Sequence, residues 1–523
     1  MSEFKLTYST MFAAPPALHE RFDQALLRVS KAAHREHPLF IGGRDVFTDR
    51  KSLKRSPIDQ RRILGEFQLA GTVEVERAMR AASDAFKSWR LNSWEERIAV
   101  LRKAAHLIEQ RVYDIAAVIS LEVGKNRMEA LGEAQETADF FKIYADQMEQ
   151  SAGFAHGLPD DPIEGSRSRN RSVLKPYGVW VVIAPFNFPF ALAGGPIAAA
   201  LAAGNTVVLK GAAETPWAGR MLAECLRDAG IPEGAFNYLN GTGIEAGELL
   251  VQHELTSGIT FTGSHEVGLR IAAAQTAKRR FLPFIAEMGG KNAVIVTEHA
   301  DLACAATGIV RSAFGMQGQK CSALSRLYVD ESVADALIEA ITSRMAGLTI
   351  GDPTEANTWL GPVATRAAYD RYDASCRALE SGGSRILMGG EHLRTGALAH
   401  GYYCAPTLAE SRGSHPLWNE EMFCPIAMLR RVLDKEQAIS LANASAFGLT
   451  AGFYGAADEI AWFFDHIEAG VTYANRAQGA TTGAWPGYQA FGGWKGSSST
   501  GKAVGSFYYL PQYMREQSQT HVE

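Results

Sequence analysis

Two short stretches hold residue types that do covalent chemistry. Gly315-Met316-Gln317-Gly318-Gln319-Lys320-Cys321-Ser322-Ala323 places one thiol among small and polar residues, shortly before the apolar run Leu327-Tyr328-Val329. A structural cysteine normally sits inside an apolar periodic segment, as a small hydrophobe. A thiol in a Gly-rich loop is instead accessible and close to backbone N–H donors. Alone, Cys321 reads equally as nucleophile or structural thiol. The stretch Ala286-Glu287-Met288-Gly289-Gly290-Lys291-Asn292, upstream of it, offers a carboxylate at a Gly-Gly turn. A thiol nucleophile and a carboxylate base are the two parts that turn an aldehyde into an acid through a thioester.

On these two stretches the chain resembles the aldehyde dehydrogenase superfamily, where a Glu in an E-x-G-G-K-type motif is the base and a Cys in a G-Q-x-C motif the nucleophile. The version here, Gly-Gln-Lys-Cys-Ser-Ala, is similar to the branch that oxidises L-glutamate γ-semialdehyde, the open form of 1-pyrroline-5-carboxylate. The resemblance runs from about Pro38 to about Leu510. It implies Cys321 as nucleophile and Glu287 as base, with NAD as hydride acceptor.

The elements that must position these residues follow from pattern. Gly178-Val179-Trp180-Val181-Val182-Ile183-Ala184 is a continuous apolar run, as a buried parallel strand requires. Pro185-Phe186-Asn187-Phe188-Pro189 follows at its C-terminal end, where ligands gather in open α/β sheets. The resemblance makes Asn187 the oxyanion donor, together with the Cys321 backbone N–H; the other reading is an Asx turn between two prolines. Pro196 to Ala203 reads as a helix, Thr206-Val207-Val208-Leu209-Lys210 as the next strand, and Asn240 to Gly247 as a glycine loop opening a helix. Ile259-Thr260-Phe261 then ends in Thr262-Gly263-Ser264. Alternating strands and helices predict an α/β fold with doubly wound parallel sheets.

There is no G-x-G-x-x-G fingerprint, and a lone Gly-x-Gly is weak evidence of phosphate binding. The resemblance places Gly243, Gly263 and Ser264 near a pyrophosphate, Lys210 on the adenosine ribose, and Glu421 and Phe423 on the nicotinamide ribose and ring. The family's usual Glu three residues after the lysine is Ala213 here, with Glu214 one later. A carboxylate that repels a 2′-phosphate is therefore missing, which predicts tolerance of NADP beside NAD.

Gly483-Ala484 and Ser322 match the positions that bind a substrate α-carboxylate in that branch, where successive backbone N–H groups make an anion nest. The alternative is a Gly-rich turn that only shapes a pocket. Trp485-Pro486 departs from the branch's two aliphatic residues, Ala490 replaces its proline, and the serine run 497–499 disturbs its Ser-Gly pattern. A bulky indole there predicts a reshaped aldehyde tunnel, so another aldehyde, aromatic or a different semialdehyde, stays open. Glu136, on a helix matching one that faces the substrate channel, is a candidate substrate contact or part of a solvated face. A non-catalytic paralogue would have lost the Cys or the Glu, and both are present.

Around this frame, Leu18, Phe22, Leu26 and Val29 share one helix face, which reads as a packing arm. Val73 to Gln150 is helical in pattern, with Thr72 as N-cap. Residues 151–172 read as a loop. The arm is expected over 1–37, a cofactor-binding domain over 38–160 and 182–292, and a catalytic domain over 293–470. A return segment with the aldehyde anchor loop spans 471–497. The resemblance implies an oligomerisation element over 161–181 and 498–523, with Ser506 to Leu510 and Tyr513-Met514 as its strand. Unpaired edges there predict a homodimer or higher homo-oligomer.

A formal charge of −5 disfavours a nucleic-acid partner. No window approaches the ~18 consecutive apolar residues of a membrane span, and Met1 to Leu6 lacks the pattern of a signal peptide. Six scattered cysteines without a C-x-x-C pair, and no H-E-x-x-H among 13 histidines, exclude the common zinc spacings and fit a reducing cytoplasm. The expected partner is a small-molecule aldehyde, with no metal.

Overall fold

The computed structural model describes residues 5–11, 15–162, 164–277, 281–411, 415–477 and 484–523. Two seven-stranded sheets dominate it. In the first, Phe284–Glu287, Thr256–Thr262, Val179–Ile183, Thr206–Gly211 and Phe236–Asn240 are parallel neighbours in that order. Leu39–Ile41 and Arg44–Val46 close one edge antiparallel. Every residue of Val179–Ile183, Thr206–Gly211 and Phe236–Asn240 is buried, which is why their centres are apolar runs rather than alternating.

Helices cover both faces. Thr72–Trp89 lies on one; on the other, Ala191–Ala202 and Pro216–Ala229 pack with Trp94–Gln110, Val112–Val123 and Arg127–Gln150 into one apolar core. The arm helix Pro16–Ala32 buries Leu18, Phe22, Ala25 and Val29 into that core. Leu26 stays half-buried and Ala25 takes the inner position. Thr72 is the first residue of its helix rather than the N-cap: Gly71 caps it, with the Glu74 side chain accepting the Gly71 N–H at 2.7 Å. The helix expected from Pro196 begins at Ala191, with Pro196 inside its first turns.

In the second sheet the order is Arg385–Met388, Thr407–Glu410, Ile426–Val432, Leu324–Asp330, Asn292–Val296, Thr450–Tyr454 and Val471–Ala474. All neighbours are parallel except the first pair. The chain passes from one sheet to the other through Met288–Lys291, so Glu287 ends an edge strand of the first and Asn292 opens an inner strand of the second.

A three-stranded antiparallel ribbon, Met514–Val522, Ser168–Pro176 and Ala155–Leu158, stands apart from both sheets. Two expectations are corrected here. Residues 151–172 are not a loop throughout but hold one strand of the ribbon and half of another. The tail strand is Met514–Val522, whereas Ser506 to Tyr513 forms turns and a short 3-10 helix, Leu510–Tyr513. Tyr509 and Tyr513 are fully buried, and Pro511 removes a backbone donor a ladder would need. Asn205 ties the ribbon to the first sheet: its Oδ1 accepts from the N–H groups of Tyr177 (2.8 Å) and Gly178 (3.1 Å), and its Nδ2 donates to the Tyr513 carbonyl (2.9 Å).

Candidate active site

Cys321 sits just before the central strand Leu324–Asp330, after a tight backbone turn. Met316, Gln317 and Gly318 all have positive φ (50°, 57° and 66°). Two consecutive non-Gly residues in this region store strain that the surroundings must hold. The Met316 N–H donates to Glu129 Oε1 at 2.9 Å, and the Gln319 Oε1 accepts from the Ala364 N–H at 3.0 Å. A Cβ on Gly318 would stand 2.4 Å from the Cys424 carbonyl oxygen, so only glycine fits there.

The Gly-Gly turn docks on this loop. Asn292 Nδ2 donates to the carbonyls of Cys321 (2.6 Å) and Ala323 (2.8 Å), while its Oδ1 accepts from the Thr450 N–H. A Cβ on Gly290 would meet the Cys321 carbonyl oxygen at 2.4 Å, and one on Gly289 the Glu421 carboxylate at 2.3 Å. The motif's glycines are thus required by close approach on both sides. Asn187 follows the strand Val179–Ile183 and donates through Nδ2 to the Gln319 carbonyl at 3.0 Å, two residues before Cys321. The structure therefore brings Cys321, Glu287 and Asn187 together from three separate elements.

The Glu287 carboxyl is buried. Its Oε1 accepts from Ser498 Oγ at 2.9 Å, and its Oε2 has no hydrogen-bond partner. Burial raises its pKa to about 8, against Ser498 and the Gly493 backbone N–H, which favour the charged form. Burial also pushes the Cys321 thiol up to about 12, helped by the nearby Glu421 and Glu287 charges. Lys320, brought down to about 8 by burial, has Glu129 and Cys321 as its opposing charges. The serine run is built into this site: Ser497 Oγ donates to the Gly289 carbonyl and Ser499 Oγ to the Phe284 carbonyl. The sequence showed the run only as a departure. Ser498→Ala removes the bond that stabilises the Glu287 carboxylate, so the pH limb carried by Glu287 is expected to move above about 8; a kcat–pH profile with an unmoved limb would refute the assignment.

Beneath Asn187 lies a buried ion pair. Lys125 Nζ and Glu133 Oε2 are 2.5 Å apart, and both side chains are fully enclosed. Glu133 Oε1 also accepts from the Phe190 and Ala191 N–H groups, at the start of the helix after the Asn187 loop. Lys125 sits over the Phe188 ring, 3.5 Å from its centroid. Neither residue had a role assigned from sequence; a lysine between two helices and a glutamate on one ordinarily read as solvated.

A cavity of about 590 Å³ opens beside the first sheet, with Ile183, Val251, Ile271 and Ala274 on its apolar side and Thr242, Gly243 and Gly247 at its rim. Thr242 and Ser264 each precede a helix start: Thr242 Oγ1 accepts from the Glu245 N–H, and the Ser264 carbonyl from the Gly268 N–H. Gly263 donates its N–H to the Glu287 carbonyl. Lys210 ends the strand Thr206–Gly211, buried, with Glu214 its acidic neighbour. The apolar lining of this slot, with Thr242 and Gly243 beside it, fits the flat base of a dinucleotide. Glu421 Oε1 accepts from the Gly290 N–H at 3.1 Å, and the Phe423 ring lies edge to face with Phe186 at 5.9 Å. These two therefore approach the Cys321 loop and the Asn187 loop, away from the slot.

A second cavity, of about 360 Å³, reaches Phe188 and Lys320, the sequence neighbours of Asn187 and Cys321. Trp485 and Glu136 are not among its lining residues. Trp485 packs behind Tyr8, its indole N–H donating to Asp139 Oδ2 at 2.8 Å. Glu136 Oε2 accepts from the Tyr8 hydroxyl at 2.8 Å, and burial raises its pKa to about 8. Ser322 and Ala484 are buried; Gly483 lies outside the described residues. Among the described residues, no helix is long and apolar enough to cross a membrane, and no group of three His, Cys, Asp or Glu could hold a metal ion.

Comparison with known proteins places this architecture. The sequence profile described as "Aldehyde dehydrogenase family" matches residues 47–518. The chain belongs to the aldehyde dehydrogenase family, and it is an NAD(P)-dependent enzyme of that class. It is 38% identical over 495 residues to 1-pyrroline-5-carboxylate dehydrogenase 2 of Bacillus subtilis (strain 168), covering 94% of each chain. It is also 38% identical over 502 residues to a 1-pyrroline-5-carboxylate dehydrogenase of Geobacillus thermodenitrificans (strain NG80-2), covering 94% of this chain and 95% of that one. The solved 1-pyrroline-5-carboxylate dehydrogenase from Thermus with bound NAD superposes with a TM-score of 0.92 at 34% identity, covering 100% of this chain and 99% of that one.

Proposed function

We propose that the enzyme oxidises L-glutamate γ-semialdehyde, the open form of 1-pyrroline-5-carboxylate, to L-glutamate with NAD, through a thioester on Cys321. The observation that carries the chemistry is the turn Glu287–Asn292, which holds a buried carboxyl with one unpartnered oxygen and grips the Cys321 backbone. The substrate rests on the relatives named for it, matched over more than nine-tenths of the chain.

Cys321 loses its proton to Glu287 or to water, and Sγ adds to the aldehyde carbon as the thiolate. Asn187 Nδ2, with the Cys321 N–H, holds the oxyanion; such a donor contributes ~3–4 kcal/mol in the transition state. NAD, when bound, supplies the acceptor for the hydride that leaves this carbon. Lys210, Gly243, Gly263 and Ser264 hold its adenosine and phosphate end, and Glu421 and Phe423 its nicotinamide end. Glu287 then takes a proton from water as the water attacks the thioester, which frees the acid and restores the thiol. Ser322, Ala484 and Gly483 bind the substrate carboxylate, and Glu136 acts on the substrate through Tyr8. The protein works as a homodimer joined along the open edges of the ribbon, in a reducing cytoplasm where its six free thiols persist.

The test is NADH formation on 1-pyrroline-5-carboxylate beside benzaldehyde and succinate semialdehyde. The kcat/KM is expected to be highest on 1-pyrroline-5-carboxylate, and turnover confined to benzaldehyde would overturn the substrate. With Ala213 where the family has a carboxylate, NADP is expected to be accepted. A preference for NAD above ~1000-fold in kcat/KM would sink that expectation.

A further inference from the structure

The N-terminal residues read as a packing arm do something else before the helix begins. Tyr8 and Met11 are both buried, at 6% and 9% exposure, and both line the cavity that ends at Phe188 and Lys320. They form a separate apolar cluster with Trp485, against Met128 and Phe188. The Tyr8 ring stands edge to face on Trp485 (centroids 5.2 Å, 77°) and on Phe188 (6.4 Å, 78°). Its hydroxyl donates to Glu136. A Cβ on Gly132 would strike the ring at 2.8 Å, so the helix Arg127–Gln150 carries glycine where Tyr8 lies on it. Arg476 Nη2 donates to Ser9 Oγ at 2.8 Å, which pins the segment to the chain just after the strand Val471–Ala474. Four elements distant in sequence thus fix one tyrosine at the cavity wall.

We propose that Tyr8 and Met11 form the outer wall of the aldehyde cavity and set the size of the aldehyde the enzyme accepts. Phe188 is the inner wall beside Asn187, and Tyr8 faces it across the edge-to-face contact, with Trp485 as its backing. The chain's own N-terminal segment is thereby a specificity element, and the Trp485 departure acts on the substrate only by holding Tyr8. This rests on the aldehyde dehydrogenase reading above and not on the choice of aldehyde.

The test uses the full chain with Tyr8→Ala, Met11→Ala and Tyr8→Phe, and compares kcat/KM on 1-pyrroline-5-carboxylate and benzaldehyde. Tyr8→Ala is expected to raise the benzaldehyde to 1-pyrroline-5-carboxylate ratio about tenfold or more, the range for a change of one apolar group in a pocket. The change should lie in KM rather than kcat. Tyr8→Phe keeps the ring and loses only the Glu136 bond, so its ratio should shift less than that of Tyr8→Ala, while Met11→Ala moves the ratio the same way as Tyr8→Ala. NADH affinity, read by fluorescence, and the alkylation rate of Cys321 by iodoacetamide should not change, because the cofactor slot and the thiol are untouched. A parent-like ratio in Tyr8→Ala or in Met11→Ala would overturn the proposal. If Tyr8→Ala does not fold, Met11→Ala decides the matter alone. A parent inactive on 1-pyrroline-5-carboxylate but active on other aldehydes would refute the substrate above and leave this test intact, run on a short and a bulky aldehyde that it does turn over.

Discussion

Cys321→Ala is expected to lower aldehyde oxidation on the order of 10⁴–10⁶-fold in kcat, the scale on which deletion of a covalent nucleophile is felt. Two structural facts make the loss specific. The Cys321 carbonyl, not its side chain, holds the Asn292 amide, so the loop keeps its anchors when Sγ is removed. The left-handed turn at Met316–Gly318 is likewise held by Glu129 and the backbone around it. NADH affinity and thermal stability should therefore stay near the parent's. Steady-state NADH formation with each aldehyde is the measurement, and a variant retaining more than about one per cent of kcat would exclude Cys321 as nucleophile.

Glu287→Gln is expected to separate the two halves of the reaction. The thiol still attacks and the hydride still leaves, so one NADH per active site should appear in a rapid burst. The following steady state should be slower by about 10²–10⁴-fold, the usual loss of a general base. In the parent, Glu287 acts only as the carboxylate, and burial has raised its pKa to about 8. The hydrolytic rate should consequently climb as pH rises through about 8, and the Gln variant should lose this limb. Stopped-flow absorbance at several pH values reads both effects. A Gln variant with no burst and a parent-like pH limb would remove Glu287 from the hydrolytic step.

The parts of the fold buried on both faces were legible in the sequence, because burial forces them to be apolar: Val179–Ile183 and Thr206–Gly211 could be placed by composition alone. Cys321 and Glu287 were legible through two motifs in which Gly290 and Gly318 prove to be spaces that another backbone carbonyl fills. The strand bounds of the ribbon were not, since Met514–Val522 is mostly exposed and Ser168–Pro176 mostly half-buried, and neither alternates between buried and exposed positions. The aromatic run Ser506 to Tyr513 looked like the strand, but Tyr509 and Tyr513 are buried about a 3-10 turn while Phe507 and Tyr508 face outward. Ser498, Lys125 and Glu133 were invisible for another reason. Their meaning comes from partners more than 50 residues away or enclosed with them, and a serine or lysine carries no sign of its enclosure. Tyr8 is the same case at the far end of the chain.

Asn205 bears on how the molecule comes apart. One enclosed amide holds two N–H groups at the root of the ribbon and a carbonyl of the tail, and Tyr513 extends the link to Thr260 within the first sheet. Peeling the last strand away strands an enclosed donor, which costs about 1–3 kcal/mol at each such group. The tail and the sheet beside the dinucleotide slot therefore melt together, as one cooperative unit. A cut after Met514 deletes mostly exposed strand residues, whereas a cut before Tyr513 removes the link, and heat resistance should divide sharply between those two end points.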